Sequence, residues 1–354
     1  MILCSSGAFR KPPIQAAGAR QGRGPGVGCV CYHRRVKKIR SLVFFGTHEL
    51  AVPALEQLAE LELTPQLVVT HPRAGYAPGD SDSRPHPVLD WSRRHGVDFV
   101  RSRRAAEPEL RERIAGLEPD LLVVVDYGHP LPAELLEAVA CSAIEVHPSL
   151  LPDLRGAHAL RAALAAGMGT SGVTVFEVSE EPWGGPVLLQ EKIEIDDRET
   201  FDELLPRGAE LSCKLLSEAL RKLDRSKKKP SGKPQKDSKS SVPAPRIGGR
   251  HRKAPWSLEA ERVYDRLRAY STAGLKAYFH YRPVEIVSGI PMEWVEAPWG
   301  ASGTYLGMRQ GKLAIICGGS TIFGIGRLRW PGGEVQGASE FALAERLVVG
   351  DRFA

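Results

Sequence analysis

Through the first two thirds of the chain, short apolar runs alternate with stretches whose apolar residues recur at helical spacing. Residues 39–46 (IRSLVFFG) form a Val- and Phe-bearing run that stops on a glycine, as a strand buried on both faces does. Residues 53–62 then carry helical spacing, and 66–70 (QLVVT) make a second strand. The alternation continues with helix 88–95, strand 97–100, helix 107–115, strand 120–125 (DLLVVV), helix 133–139 and strand 143–147. Helix 155–166, strands 172–177 and 187–195, and one long helix over 201–223 complete the series. Residues 71–87 are rich in Gly, Pro, Asp and Ser and read as a loop. This order predicts an α/β fold, an open and mostly parallel sheet with helices on both faces. Ligands of such sheets sit beyond the carboxyl ends of the strands, which puts loops 46–49, 126–130 and 147–158 in the site region.

Residues 224–253 hold Lys, Ser, Pro and Gly and almost nothing apolar, which predicts a flexible linker or a basic arm that folds on binding. Beyond it the pattern predicts a helix over 257–270 with Ser257 as its N-cap. Short β-like runs at 283–287, 292–295, 304–308, 312–317 and 321–328, several parted by glycine turns, predict a small, OB-like β-barrel. The expected organisation is thus a leader over 1–38, an α/β domain over 39–223, a linker over 224–253 and a second domain over 254–354.

The whole chain of 354 residues is 42% apolar, too much for a disordered chain, and no apolar run is long enough to cross a membrane as a helix. Its formal net charge of +6 suggests a polyanion binder. That charge is unevenly placed. Residues 1–38 carry eight Lys/Arg and no acid, residues 39–219 carry 16 basic against 30 acidic side chains, and residues 220–253 carry 13 against two. The leader is Arg-, Gly- and Ala-rich without the apolar core of a secretory signal, which fits a mitochondrial transit peptide, with a plain basic tail as the alternative. Of the six cysteines, Cys4, Cys29 and Cys31 lie in the leader, and Cys141, Cys213 and Cys317 stand scattered in apolar contexts. No metal-ligand spacing is present, so buried free thiols and no metal site are expected.

Chemistry concentrates in residues 143–156 (AIEVHPSLLPDLRG), where a strand runs into a Pro-rich loop and brings His147 to the sheet's carboxyl edge. Downstream, SGVTV (171–175) and GGPVLLQ (184–190) bring a Gly-rich turn to the same edge. Together with FFGTHELAVPALEQL and VVVDYG, and with APWSLEAERVYDRLRAY and GTYLGMRQGKLAIICGGSTIFGIGRLR in the second domain, these segments resemble the methionyl-tRNA formyltransferase family from about residue 39 onward. The resemblance implies transfer of a formyl group from 10-formyltetrahydrofolate to the amino group of methionyl initiator tRNA. It implies folate contacts at Tyr127, Gly128, Gly184 and Gly185, and an OB-like second domain that binds tRNA. It also implies a triad of Asn and His at a strand end and an Asp in a later turn. In such a triad the Asn and His would stabilise the tetrahedral oxyanion while the Asp orients the His and the amine loses its proton.

This chain keeps His147 of that triad, but Glu145 stands at the Asn position and Trp183 at the Asp position. An ionised carboxylate offers no donor and repels a developing oxyanion, and loss of one such donor alone costs roughly 10²–10³ in rate. A buried, protonated Glu145 would restore a donor, and Asp153, Glu180 or Glu181 would have to replace the missing acid. The loop that carries a basic insertion in the family is here Arg73–Pro87, with two Arg, two Asp and no Lys. Phosphate attraction is therefore expected to shift to Arg225, Lys227, Lys228, Lys229, Lys233, Lys236, Lys239, Arg250, Arg252 and Lys253, unless these form only a solvated spacer. The favoured expectation is a catalytically degenerate relative in mitochondria that binds RNA (tRNA or rRNA) or a ribonucleoprotein such as the mitoribosome. The alternative is an active mitochondrial methionyl-tRNA formyltransferase that uses 10-formyltetrahydrofolate.

Overall fold

The computed structural model describes residues 38–72, 86–138, 142–225, 232–236, 244, 249–295 and 298–354. The leader through residue 37, loop residues 73–85, Cys141, Lys227–Lys229 and Lys239 lie outside the described residues.

Seven strands form the first sheet: β1 (Leu42–Phe45), β2 (Leu67–Thr70), β3 (Asp98–Arg101), β4 (Leu121–Val125), β5 (Ser142–His147), β6 (Thr170–Glu177) and β7 (Val187–Glu194). Their order is β3-β2-β1-β4-β5-β6-β7. The first five pair in parallel, and β6 and β7 are added antiparallel. Every residue of β1, β2 and β4 is buried, which is why these strands read as unbroken apolar runs. The helices are α1 (Ala51–Glu60), α2 (Pro87–His95), α3 (Pro108–Gly116), α4 (Ala133–Ala138), α5 (Ala159–Ala165) and α6 (Phe201–Arg225). One apolar core, with Trp91, Leu160 and Leu216, covers one face of the sheet, and a second, with Phe45, Tyr127 and Ile114, covers the other.

Helix α5 begins four residues later than the sequence predicts. Leu154, Gly156 and His158 all have positive φ, at 56°, 125° and 61°, and a helix cannot start until that left-handed stretch ends. The segment 148–158 is consequently an irregular loop at the carboxyl edge.

The C-terminal part begins with α7 (Ala260–Ala269), followed by β8 (Leu275–Phe279), β9 (Arg282–Met292), β10 (Tyr305–Arg309), β11 (Lys312–Ile316), β12 (Ile322–Arg329), β13 (Gln336–Gly337) and α8 (Ala338–Ala344). Two expectations are corrected here, and one strand, β8, has no counterpart among the predicted elements. Ser257 does not cap α7: the cap position is Glu259, and the Ala260 amide donates instead to Thr321 Oγ1 at 2.8 Å. The run 292–295 is not a strand; β9 is one long strand that ends at Met292. Strand β8 (LKAYF) has no clear signature in the sequence, because its exposed Tyr278 and part-exposed Lys276 break the apolar run.

The second sheet runs β10-β11-β12-β9-β8, all antiparallel, with β13 beside β12. Its two edges are joined by the last residues of the chain. Tyr278 and Ala354 exchange backbone hydrogen bonds of 2.8 Å on the β8 side, and the Tyr305 amide donates to Asp351 O at 2.8 Å on the β10 side. The sheet is closed into a barrel by this tail. Cys213 and Cys317 are buried, and neither is in a disulfide. Among the described residues no helix is long and apolar enough to cross a membrane, and no group of His, Cys, Asp and Glu is arranged to hold a metal ion.

Candidate active site

Strand β5 ends at the carboxyl edge, and its alternation puts Glu145 and His147 on one face. Both are buried, at 8% and 2% exposure. His147 Nε2 lies 3.0 Å from Gly156 O, and Nδ1 lies 3.0 Å from Ser149 Oγ. A carbonyl oxygen only accepts, so the neutral ring carries its proton on Nε2 and donates it to Gly156. Ser149 has one proton and two acceptors in reach, His147 Nδ1 and Asp153 O at 2.7 Å. Burial lowers the His147 pKa to about 4, so the imidazole is neutral near pH 7.

Trp183 sits in the turn between β6 and β7 at φ 54°. Its indole Nε1–H donates to Glu145 Oε1 at 3.0 Å. Its ring stands edge-on to His147, with centroids 6.4 Å apart. The two residues expected at the Asn and Asp positions of the triad are therefore bonded to each other, and neither bonds His147. Burial raises the Glu145 pKa to about 8; the indole N–H works against the rise and Asp126 adds to it. Near pH 7 the carboxyl is mostly neutral. None of Asp153, Glu180 and Glu181 takes the place of an acid on His147: the Asp153 backbone carbonyl engages Ser149, and Glu181 pairs with Arg155 at 2.5 Å.

Beside this group lies a second polar cluster, built from the loops after β1 and β4 and from Arg161 on α5. Asp126, at φ 51° just past β4, accepts from the Thr47 and His48 amides through its carbonyl and from the Leu50 amide through Oδ2 at 3.1 Å. Glu49 Oε1 is 3.3 Å from Arg161 Nη2. Burial pushes the Glu49 and Asp126 carboxyls upward, and Arg161 opposes the rise in both. With Pro148, His158, Phe201 and Leu205 these residues line a cleft at the strand ends. The legible signal is an acid directly after the apolar run LLVVV, where a buried strand leaves the sheet.

The residues expected to contact folate are placed differently from one another. Tyr127 turns its ring into the core on the far face of the sheet, 5.5 Å from Phe45, and its hydroxyl is buried with no hydrogen-bond partner. Gly128 has φ 80°, and a Cβ there would stand 3.1 Å from His48 Nε2. A Cβ on Gly184 would collide with Glu181, and one on Gly185 with the Glu177 carbonyl oxygen. Those two glycines answer to close packing within the β6–β7 turn.

The linker also departs from a free spacer wherever it is described. Arg225 closes α6, and Lys233, Lys236 and Lys253 are exposed. Arg252 is held by Gly274 O at 3.1 Å, by Ala273 O and by Glu285 at 2.9 Å. Burial works to raise the Glu285 carboxyl, but hydrogen bonds from Arg329 and Arg252 outweigh it and hold the group below the usual range. Arg252 is thereby built into the barrel. Arg250 belongs to a 3₁₀ turn over Gly249–Arg252.

Residues 39–220 match the family model for formyl transferase. The chain is 31% identical over 322 residues to the methionyl-tRNA formyltransferase of Geobacillus thermodenitrificans, covering 88% of this chain and 97% of that protein. It belongs to the methionyl-tRNA formyltransferase family. A second relative, the methionyl-tRNA formyltransferase of Anaeromyxobacter sp., is 32% identical over 85% of this chain and 96% of its own. Among solved structures, an N-formyltransferase from Helicobacter canadensis, in complex with folinic acid and dTDP-3-aminofucose, superposes with a TM-score of 0.57 at 14% identity. It covers 81% of this chain and 98% of its own, a likeness of fold alone. The likeness to these relatives thus runs over 85–88% of the chain and nearly the whole of theirs.

Proposed function

We propose that this formyltransferase-family protein does not transfer formyl groups and works as an RNA- or ribonucleoprotein-binding factor. The observation that carries the reading is the 3.0 Å hydrogen bond from Trp183 to Glu145. An oxyanion needs a donor aimed at empty space, and the indole N–H is already spent on a neighbouring carboxyl. Nor does a neutral His147 that donates to Gly156 O have a proton to offer a reacting oxygen. With no acid on the ring, burial outweighs the one group that favours its charged form, the Gly156 carbonyl, and His147 is a weak base for proton transfer. The bonding of Glu145 and Trp183 to each other fits a site that has repacked after catalysis was lost.

Polyanion attraction is assigned to Lys227–Lys229, Lys233, Lys236 and Lys253, since the α/β domain itself is acidic. The acid-free leader supports work in mitochondria, and a fluorescent fusion of residues 1–38 that stays cytosolic would remove that part of the reading.

The deciding experiment mixes purified protein with 10-formyltetrahydrofolate and methionyl-tRNA, beside a Glu145→Asn/Trp183→Asp double variant. Background rates are expected for the unmodified chain. Turnover by that chain, lost on His147→Ala, would establish the alternative, an active enzyme that uses Glu145 as a neutral donor.

A further inference from the structure

We propose that linker residues 232–236 are a strap that holds the Trp183 turn against the site, with Gln235 as the positioning residue. The inference rests on the proposed function, because it makes the closed Trp183–Glu145 pair depend on the linker.

The composition of this segment predicts no fixed structure, yet its contacts are specific. Gln235 Nε2 donates to Trp183 O at 2.8 Å and to Gly185 O at 2.9 Å, spanning the turn. Gln235 Oε1 accepts from Arg155 Nη2 at 2.8 Å, and Arg155 Nη1 reaches Glu181 at 2.5 Å. Only one orientation of the amide serves two carbonyls on one side and a guanidinium on the other, so these partners fix its placement. Lys233 and Val187 exchange backbone hydrogen bonds of 2.7 and 2.8 Å, which adds a short bridge to the start of β7. The Gly232 amide donates to Glu177 Oε1 at 3.1 Å, and Gly232 packs so closely on Pro186 that a Cβ would stand 2.8 Å from its backbone.

The same linker reaches the other side of the site. The Ala244 amide donates to Arg155 O at 2.9 Å, and Ala244 O lies 3.1 Å from where a Cβ on Gly156 would be. Gly156 O is the acceptor of His147. Linker residues thus contact the Trp183 turn and Arg155 and run close beside Gly156, on both sides of the part-buried pair. A polar spacer would gain nothing from ordering these residues, each of which costs about 1–2 kcal/mol of backbone entropy. An amide with both its donors and its acceptor engaged offsets part of that cost.

The test uses the full chain and reads amide hydrogen exchange and tryptophan emission, not formyl transfer, so its failure leaves the preceding reading standing. Gln235→Ala and the near-isosteric Gln235→Glu, which lacks both donors, are compared with the unmodified protein. Exchange at the Val187 amide and across 183–187 is expected to quicken about tenfold in both, with exchange in β4 unchanged. The emission of Trp183, isolated by subtracting the Trp183→Phe counterpart of each protein, is expected to shift to the red as the indole leaves Glu145. Gly232→Ala lifts the strap from a different contact and is expected to produce the same two changes. Unchanged exchange and emission in Gln235→Glu would overturn the proposal. So would acceleration spread equally to β4, which would show a general loss of stability instead of a held turn.

Discussion

Arg161 on α5 donates from Nη1 to the carbonyl oxygen of Ala269 at the end of α7, 2.6 Å away. Its guanidinium also stands 3.5 Å over the ring of Phe201 and reaches Glu49 with Nη2. One buried cation therefore joins the acid pair at the strand ends to the helix that opens the C-terminal part.

Removing it leaves the half-buried Glu49 and Asp126 without their compensating charge; breaking one side of a fully buried pair costs roughly 3–5 kcal/mol, and partial exposure puts this one at the lower end. Arg161→Ala is expected to lower stability by about 3 kcal/mol in urea unfolding. Adding Glu49→Gln should return part of that loss, because it removes one of the stranded carboxyls. A double variant no more stable than the single one would show that packing on Phe201, not charge, is what Arg161 supplies.

The pH dependence of Glu145 has a definite sign. Its ordinary value is 4.5 and its folded value about 8, so between these limits the folded protein holds a proton that the unfolded chain has released. Stability from this group is complete below 4.5 and is lost as pH rises towards 8. Glu145→Gln cannot ionise, and it keeps an oxygen to accept from Trp183. Its stability relative to the unmodified chain is expected to grow by on the order of 3 kcal/mol between about pH 5 and 8.5, since each tenfold change in proton affinity is worth about 1.4 kcal/mol. The pull of His147, which runs the other way below 6.5, is shared by both proteins and cancels. Urea titrations at the two pH values measure the difference, and a constant difference would refute the assignment.

Trp183→Phe keeps a ring in the turn and removes only the N–H that Glu145 accepts from. The loss of that bond should cost about 1–2 kcal/mol. The cost is expected to be larger near pH 9 than near pH 5, because an ionised Glu145 depends on a donor more than a neutral one does. An equal cost at both pH values would mean that the indole acts by shape alone.

What could be read in advance follows from where the chemistry is local. Strands β1 and β4 announce themselves because both faces are buried and nearly every residue is apolar. The site loops follow from the same runs, since they sit where those strands end. The partner of Glu145 is not legible: Trp183 is 38 positions away, and only the antiparallel return of β6 brings its turn to β5. Gln235 is hidden further, in a segment whose Lys, Ser, Pro and Gly content reads as solvated chain, because its order comes from carbonyls on another turn. In the barrel, closure by residues 351–354 leaves no periodic signal, since a single isolated bridge on each side does the pairing.

That closure depends on Phe353. It is fully buried, and its ring stacks on Phe279 at 5.1 Å while Phe341 lies 6.4 Å away. The tail's backbone bonds to β8 and β10 are too few to hold it without that anchor. Phe353→Ala is expected to cost about 3–5 kcal/mol through lost burial and the cavity left beside Phe279. Exchange should then quicken at the Tyr278 and Tyr305 amides, which donate to the tail, ahead of the amides of β11 and β12. If Tyr278 and Tyr305 stay as protected as β12 in this variant, the barrel is closed by its strands alone and the tail is only resting on it.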